Sequence, residues 1–350
     1  MKYTFETLTL LILLVMLAVL AAVFPDEAEN FSDYVDWRAI LSLAGLLLVS
    51  EGARESGYLS NLAYSIARAS KTERTLVFRL CMLSAILGAI ITNDAAVMVV
   101  VPLTMSLKDH IDVRKVVALE VISANAGSTL TPIGNPQNLL IWHVWGISFV
   151  EFAAAMAKFV LVQLAVLFTL LFLVENRVVS ADSKSFEVDK FLKTLSLALL
   201  MLLVIALDLG AHWFVIVVIS IYLIFFRRVV TNANWQLVAI FALMFVDFRT
   251  IASVFIHTVN FTGSNVFLAS IVTSQIINNV PAALIMTEVS NNYPAIAAGV
   301  NIGGNGLLTA SFANLIAYGI VRDSKFLREY HLFSFAYLLM CVVLVLWLFF

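Results

Sequence analysis

Charged residues are scarce in this sequence. Asp, Glu, Lys and Arg make up 13% of its 350 residues, whereas hydrophobic residues make up 62%. This composition excludes a soluble domain and predicts a chain that crosses a membrane many times. The net charge is -2 and the basic residues stand in short segments between apolar runs, which excludes a nucleic-acid partner.

Cysteines and catalytic motifs are nearly absent as well. The two cysteines, Cys81 and Cys341, lie in apolar runs and suit neither a disulfide framework nor a metal site. The five histidines show no metal-ligand spacing, and no HExxH, GxSxG or phosphate-loop motif occurs. We therefore expect a protein that is not an enzyme, although a membrane-embedded enzyme stays open as the alternative of another class.

Apolar runs predict an all-α polytopic membrane protein with about nine crossings, two of which are interrupted by polar residues. The predicted spans are Thr7–Phe24, Trp37–Val49, Val116–Ile147 (broken), Phe152–Val174, Phe191–Leu207, Trp213–Phe226, Trp235–Val246, Ala295–Ile320 (broken) and His331–Phe350.

Two further apolar runs carry polar residues at their centre. Leu80–Leu107 is interrupted around Asn93, and Val266–Met286 around Asn279. Each arm of the first run, at ~13 residues, extends only about 20 Å and falls short of a hydrocarbon core of roughly 30 Å. We interpret both runs as re-entrant hairpins.

The distribution of basic residues supports this topology. If both hairpins return to their own side, 18 of the 21 Lys and Arg collect on one face, and only Arg38, Lys158 and Arg249 fall elsewhere. Because basic residues favour the cytoplasmic side, the amino terminus is predicted to be cytoplasmic and the carboxyl terminus external. Gly57–Ser70 is too polar to span and suits an amphipathic surface helix.

The first broken span contains the most polar stretch of the chain, Asn125–Trp142. Pro132 and Pro136 each lack a backbone N–H and clash with the preceding turn, so a helix should stop near Thr131 and restart near Gln137. Backbone groups freed at membrane depth are tolerated only where they face protein or a watery cavity. The break is therefore predicted to line a site.

Parts of this pattern occur twice. At an offset of 176 residues, Asn125 corresponds to Asn301 and Asn138 to Asn314. The ITNDAAVMVVVPL segment aligns with INNVPAALIMTEV at an offset of 186, and Trp37 with Trp235 at 198. Because the predicted topology makes one hairpin enter from the cytoplasm and the other from outside, the repeat is predicted to be inverted.

The repeat suggests three parts of the chain. They are a first repeat at 1–176 with a hairpin at 76–108 and a broken helix at 114–147, a cytoplasmic loop and linking span at 177–210, and a second repeat at 211–350 with a hairpin at 263–290 and a broken helix at 293–322.

Asp94 is the single most informative residue. A carboxylate near mid-membrane costs about 2.5–3.5 kcal/mol on insertion scales, so it should hold a proton, a cation or a hydrogen-bond donor. Its counterpart in the second repeat is Val280. A structural role stays open, because Asn93 and Asp94 could cap the helix that begins there.

Amides and hydroxyls dominate the four polar interruptions, and none of them contains Arg or Lys. An anion would therefore depend on helix N-termini, amide side chains and a bound cation. The oxygens that suit a hard cation such as sodium belong to Thr129, Thr131, Asn135, Gln137, Asn138, Asn305, Thr309, Ser311 and Asn314. Interhelical hydrogen bonding by Asn and close packing by Gly are the structural alternative.

At TNDAAVMVVVPLT and GSTLTPIGNPQNLLIW the sequence resembles the ion transporter superfamily of divalent-anion/sodium symporters, arsenite permeases and citrate-transporter-like proteins. The branch that it resembles most is that of bacterial inner-membrane anion permeases of YbiR type. The resemblance covers nearly the whole chain. It implies an elevator-type transporter in a multi-pass inner-membrane protein, with a scaffold that forms a homodimer.

The resemblance also implies which residues surround the ligand. The predicted substrate-binding residues are Thr92, Asn93, Asp94, Asn135, Asn278, Asn279, Asn305 and Thr309. The predicted cation-coupling residues are Asp94, Thr131, Gly134, Asn138, Gly303 and Asn314, and a sodium ion at these positions is the one cofactor considered.

One departure from the family pattern bears on function. Dicarboxylate symporters carry Ser-Asn-Thr at each hairpin tip, whereas the tips here read Thr92-Asn93-Asp94 and Asn278-Asn279-Val280. We therefore predict secondary active transport of a small anion, an inorganic oxyanion or a carboxylate, coupled to sodium or protons. A sodium/proton antiporter, an arsenite-type efflux permease and an uncoupled channel remain the alternatives.

Overall fold

The computed structural model describes residues 4–107, 111–178, 187–255 and 261–350. The regular elements in these ranges are α-helices, with one 3₁₀ helix at Leu308–Ala310 and an isolated bridge between Thr72 and Val178. The described part is therefore all-helical, as the composition predicts.

The helices of the first part of the chain are, in order, α1 (Thr4–Val23), α2 (Pro25–Ala28), α3 (Phe31–Tyr34), α4 (Trp37–Glu55), α5 (Tyr58–Arg68), α6 (Glu73–Ile90), α7 (Asn93–Ser106), α8 (Val113–Ser128), α9 (Pro136–Trp145) and α10 (Phe149–Leu171).

The helices that follow are α11 (Lys190–Asp208), α12 (Phe214–Phe225), α13 (Arg227–Asn232), α14 (Trp235–Phe255), α15 (Ser264–Ile277), α16 (Asn279–Val289), α17 (Tyr293–Ile302), α18 (Phe312–Val321) and α19 (Ser324–Phe349).

Every predicted span contains a helix. In the described part of the chain, five helices are long and apolar enough to cross a membrane by themselves, namely α1, α10, α11, α14 and α19. Helices α7, α12, α15 and α18 are apolar but shorter. Helix α4 has 19 residues, but both of its ends carry charged side chains. Length and composition thus support a polytopic membrane protein.

The first hairpin differs from the prediction in one respect. Its first arm, α6, begins at Glu73 rather than Leu80 and has 18 residues, which extend about 27 Å instead of 20 Å. The helix begins there because Thr72 caps it, accepting a hydrogen bond from the Thr75 N–H at 3.4 Å. The prediction that this arm is too short to cross the hydrocarbon core is therefore wrong for α6. The hairpin itself is present, because α6 packs against α7 and both pack against α8.

The polar segment before this hairpin is helical, as predicted. Gly57 precedes α5 with a φ of 74°, in the left-handed region, and a Cβ at this position would lie 2.6 Å from the Glu187 carbonyl oxygen. One side of α5 is buried through Leu59, Ala63 and Ala67. The amphipathic pattern is therefore used to pack the helix along one face.

Very close backbone contact holds α6 against α8. A Cβ on Gly127 would lie 1.9 Å from the Ala85 carbonyl oxygen, and one on Gly88 would lie 2.5 Å from the Ala124 carbonyl oxygen. The second hairpin repeats the arrangement, because a Cβ on Gly299 of α17 would lie 2.6 Å from the Phe267 carbonyl oxygen of α15. Small residues let helix backbones approach closely in a membrane bundle.

Gly127→Ala should destabilise the protein strongly. The new methyl group collides with backbone that cannot rotate away, so we expect a loss of about 3 kcal/mol or more, or failure to fold. Thermal unfolding of the purified protein in detergent measures the effect. Gly319→Ala is the matched control, since nothing lies within 4 Å of its Cβ position in α18. Equal melting temperatures for the two variants would contradict the packing.

Candidate functional site

Both predicted helix breaks are present. Helix α8 ends at Ser128 and α9 begins at Pro136, while α17 ends at Ile302 and α18 begins at Phe312. Asn135 caps α9 by accepting the Asn138 N–H at 2.9 Å. Each break therefore exposes backbone amides and carbonyls between two short helices.

Asparagine side chains join the two breaks through reciprocal hydrogen bonds. Asn125 Nδ2 donates to Asn314 Oδ1 at 3.0 Å, and Asn301 Nδ2 donates to Asn138 Oδ1 at 2.5 Å. Since Asn125 corresponds to Asn301 and Asn138 to Asn314, the two bonds are the same contact with the two sequence copies exchanged.

The same asparagines also satisfy the carbonyls that each break leaves free. Asn138 Nδ2 lies 3.0 Å from the carbonyl oxygens of both Ser128 and Thr131. Asn314 Nδ2 donates to the carbonyl oxygen of Gly304 at 2.9 Å and lies 3.5 Å from that of Leu307. The acceptor carbonyls also correspond at the offset of 176 residues, Ser128 to Gly304 and Thr131 to Leu307. The same set of hydrogen bonds therefore stabilises both breaks.

The first hairpin tip is buried in this network. Asn93 Nδ2 donates to Asn125 Oδ1 at 3.0 Å, and the Asn93 N–H donates to the Gly134 carbonyl at 2.9 Å. Thr92 caps α7 by accepting the Ala95 N–H at 3.1 Å. Thr92, Asn93 and Asp94 are 3–5% exposed. The tip therefore does not emerge into solvent.

The second tip is held in a similar way. Asn278 adopts a positive φ of 82° and donates from Nδ2 to the Thr309 carbonyl at 2.9 Å. Asn279 is 3% exposed, and its Nδ2 lies 2.8 Å from the position that a Cβ on Gly304 would occupy. The tip thus packs on the second break.

Hydrogen bonds connect the first tip to the second break, on which the second tip packs. Asn125, which accepts from the first tip, donates to Asn305 Oδ1 at 3.3 Å. Gln275, near the end of α15, donates to the carbonyls of Gly303 at 2.5 Å and Asn305 at 2.7 Å. Both tips therefore belong to one buried polar cluster, which we call the asparagine network.

The structure brings nearly all the predicted site residues to this network. Asn135 Nδ2 donates to Asn301 Oδ1 at 2.7 Å, and Thr131 Oγ1 donates to the Ala89 carbonyl at 2.6 Å. Thr309 is the exception, because its side chain is exposed and only its carbonyl contacts the second tip. Whether the gathered residues bind substrate or cation stays a prediction.

Asp94 is not the cap of α7, since Thr92 fills that position. Asp94 is 5% exposed, and within the described ranges no residue donates a hydrogen bond to its carboxylate. The capping interpretation of its side chain is therefore wrong. A buried carboxylate without a hydrogen-bond donor is costly inside a membrane, and a role for Asp94 as a proton or cation site stays a prediction.

Two other carboxylates are buried that the sequence motifs do not indicate. Glu120 on α8 is 0% exposed, and its position as a charged residue inside a spanning helix is the signal that points to it. Asp247 on α14 lies near a predicted span end, where we expect a solvated or snorkelling side chain; that expectation is wrong. It is 0% exposed, and neither of its oxygens has a partner in the described part.

Two histidines, His143 of α9 and His212, lie close together at the end of α9. His143 Nε2 lies 3.1 Å and His212 Nδ1 lies 3.3 Å from the same Ser42 hydroxyl, which donates to the Arg38 carbonyl at 2.7 Å. The two rings are 5.0 Å apart. This cluster ties the end of the first broken helix to α4 and to the connection between α11 and α12.

Family comparison identifies the chain independently. A family model described as citrate transporter matches residues 5–295. The chain belongs to this citrate transporter family. The resemblance to the ion transporter superfamily that the motifs indicated is thereby confirmed.

Relatives along nearly the whole chain agree. The inner membrane protein YbiR of Escherichia coli is 33% identical over 330 residues, covering 90% of this chain and 88% of the relative. The uncharacterized transporter MJ0456 of Methanocaldococcus jannaschii is 33% identical over 338 residues, covering 93% and 92%. The silicon efflux transporter LSI3 of rice is 31% identical over 138 residues, covering 39% and 28%.

These findings place the chain in the membrane. It is a multi-pass inner-membrane protein of a transporter family, and its relatives support transport of small anions.

Asn138→Ala and Asn314→Ala should destabilise the protein to a similar extent. Each removes a side chain that pairs two carbonyls of a break and an asparagine of the other copy, so we expect about 2–4 kcal/mol for each from the orphaned groups. Thermal unfolding in detergent measures this. Asn291→Ala, at an exposed position, is the control. A large loss of stability in one of these two variants and none in the other would contradict an equivalent role for the two asparagines.

Acid should loosen the histidine cluster. Burial, followed by the Arg38 charge, lowers the pKa of His212. The unfolded state then takes up the proton more readily, so stability is complete above the ordinary histidine pKa of about 6.5 and falls below it. We expect a lower melting temperature at pH 5 than at pH 7, and a smaller difference for His212→Gln. Asn291→Ala, at an exposed position, should keep the wild-type difference; if His212→Gln also keeps it, the cluster is not the cause.

Proposed function

We propose that this protein is a secondary active transporter of a small anion, an inorganic oxyanion or a carboxylate, and that sodium or protons drive it. The observation that carries the proposal is the convergence of four helix starts on one buried polar network. Helices α7, α9, α16 and α18 all begin there, with Thr92, Asn135, Asn278 and Ser311 at their N-caps.

This arrangement supports an anion as the substrate. The N-terminus of a helix carries roughly half a positive charge and free N–H groups, so it binds anions without a basic side chain. The four polar interruptions contain no Arg or Lys, and the family is one of transporters. The sequence contains no HExxH, GxSxG or phosphate-loop motif, which supports transport rather than enzyme activity.

The same network supplies ligands for a coupling cation. Carbonyl and amide oxygens of the two breaks are the hard ligands that sodium prefers, and Asp94 adds a negative charge without a competing hydrogen-bond donor. We infer that Thr131, Gly134 and Asn138 in the first break, with Gly303 and Asn314 in the second, adjoin this cation.

An inverted repeat accounts for the pattern of helix contacts. Helix α7 packs on α18 and α16 packs on α9, while α1 packs on α14 and α12 packs on α4. Each pair of contacts is one contact with the two copies exchanged, as a two-fold axis relating the copies produces. From the opposite entry of the two predicted hairpins we infer that this axis lies in the membrane plane. We infer a cytoplasmic amino terminus and an external carboxyl terminus from the basic residues.

An elevator movement fits the surface between hairpins and scaffold. We infer a scaffold of α1, α4, α11, α12 and α14 and a moving unit of both hairpins and both breaks. The side chains that line the middle of this surface are apolar; they are Ala39, Ile40, Leu43, Phe241 and Phe245 on the scaffold and Leu139, Leu140, Val280 and Leu284 on the moving unit. Movement would break the polar contacts at its edges, which are His143 with Ser42 at 3.1 Å and Arg249 with Glu288 at 3.9 Å. A homodimer formed through the scaffold completes the proposal.

A sodium/proton antiporter and an arsenite-type efflux permease are the alternatives. An unpartnered Asp94 favours the first, because a single carboxylate can exchange a proton for sodium. Antiport predicts sodium-driven proton flux in liposomes without any anion, whereas anion transport requires the anion. An efflux permease moves its substrate outward under the same gradients.

Asp94→Asn should abolish coupled transport. Reconstituted wild-type protein is tested for uptake of citrate, orthophosphate, arsenite or silicic acid under a sodium gradient or a proton gradient. We expect the variant to lose gradient-driven accumulation by about tenfold or more, because the cation loses a negatively charged ligand. Asp26→Asn, at an exposed position of α2, is the matched control. Normal coupled uptake by a folded Asp94→Asn variant would remove this carboxylate from the mechanism.

A further inference from the structure

Glu120 is buried in the middle of α8, away from the helix break. It is 0% exposed, and Thr104 of α7 donates a hydrogen bond to its Oε1. No residue in the described ranges pairs with Oε2. The carboxyl group thus has one hydroxyl partner and no counter-charge.

In this environment the Glu120 carboxyl group must be in its neutral, protonated form. A buried charge without a cation costs several kcal/mol even after relaxation, and one hydroxyl hydrogen bond cannot offset that cost. The titratable group that faces Glu120 from α6 is the Cys81 thiol, which brings no positive charge. In the described part, no Lys or Arg forms an ion pair with Glu120 from any helix packed on α8. Burial without a counter-charge therefore favours the protonated form of Glu120.

The second repeat shows that the fold does not require this acid. At the offset of 176 residues the counterpart of Glu120 is Ile296 on α17, which is also 0% exposed. An apolar side chain fills the equivalent place without leaving an unpaired oxygen. The acid in the first copy thus carries a cost that packing alone does not explain.

We propose that Glu120, with Thr104 as its hydrogen-bond partner, is a proton-binding site of the moving unit, separate from the cation ligand Asp94. The proposal rests on the function proposed above. Glu120 lies on the same helix as Asn125, five residues away, which places it about 7.5 Å along the axis from the asparagine network. Rearrangement of the network can therefore reach it through one rigid helix.

The chemistry is a simple proton exchange. Neutral Glu120 crosses with the hairpin unit, and its O–H bond breaks when water reaches Oε2 on the other side. That water takes the proton, and the carboxylate left behind accepts the Thr104 hydroxyl hydrogen. Glu120 returns as the carboxylate, whose cost inside the membrane is offset by the Thr104 hydrogen bond together with the coupling cation bound at the asparagine network, so one proton is carried for each cycle.

Infrared difference spectroscopy of the purified protein tests proton binding without any substrate. We expect wild type to show a carboxylic-acid C=O band that titrates with pH, is missing in Glu120→Gln and is shifted in Thr104→Val. Thr104→Ser should restore the wild-type band. Asp247→Asn removes another buried acid and should leave this band in place. A band that is the same in Glu120→Gln, or that does not respond to pH, would overturn the proposal and leave Glu120 a structural residue.

Proteoliposomes with an internal pH dye test whether the proton is carried. The solute is whichever of citrate, orthophosphate, arsenite or silicic acid the wild type accumulates. In Glu120→Gln we expect the protons moved per solute, and the ratio of proton-driven accumulation to exchange at equal pH, to fall about tenfold or more. Glu29→Gln, at an exposed position, is the control.

The two proposals fail differently in this experiment. If wild type moves none of the four solutes, the proposed function fails, while the infrared titration still decides whether Glu120 binds a proton. If wild type moves a solute with protons and Glu120→Gln keeps the same proton-to-solute ratio, the Glu120 proposal alone is overturned.

Discussion

The structure depends on one constraint, which is that backbone groups freed by a helix break have no water to bind inside a membrane. Each unpaired group there costs several kcal/mol, so a break survives only if side chains replace the lost partners. Asn138 and Asn314 do this for the two breaks, each contacting two carbonyl oxygens of its own break and one asparagine of the other copy. The hydrogen bonds that stabilise the breaks are therefore the same ones that hold the two copies together.

This double use of the asparagines has a consequence for movement. Because each amide is already paired within the protein, a ligand entering the network must replace existing hydrogen bonds rather than fill free ones. Asn125, which connects the first tip to the second break, would be the first to exchange partners. Under the proposed mechanism, binding and rearrangement would be one event, and the close approach of Gly127 to the Ala85 backbone would carry it to the hairpin.

The sequence predicted these features where the local signal was strong. Prolines located the first break, polar tips located both hairpins, and the 176-residue offset matched α9 to α18 at both ends. It failed where the outcome depends on distant partners. The contact of His143 with His212 requires α9 to meet the connection after α11, and the burial of Asp247 depends on helices packed around α14. Neither the histidine contact nor the burial of Asp247 produces a hydrophobic periodicity or a residue spacing in the segment that contains it.

The network asparagines recur at corresponding positions of the two copies, whereas the buried acidic residues do not. Asp94 and Glu120 of the first copy correspond to Val280 and Ile296, and at the offset of 198 Asp247 of the second copy corresponds to Val49. Residues that serve to hold the fold should recur in both copies, since the same breaks must be satisfied twice. A residue that binds a coupling ion need occur only once, because a second site would change the number of ions carried in each cycle. The asymmetry is therefore what the proposed coupling roles of Asp94 and Glu120 predict.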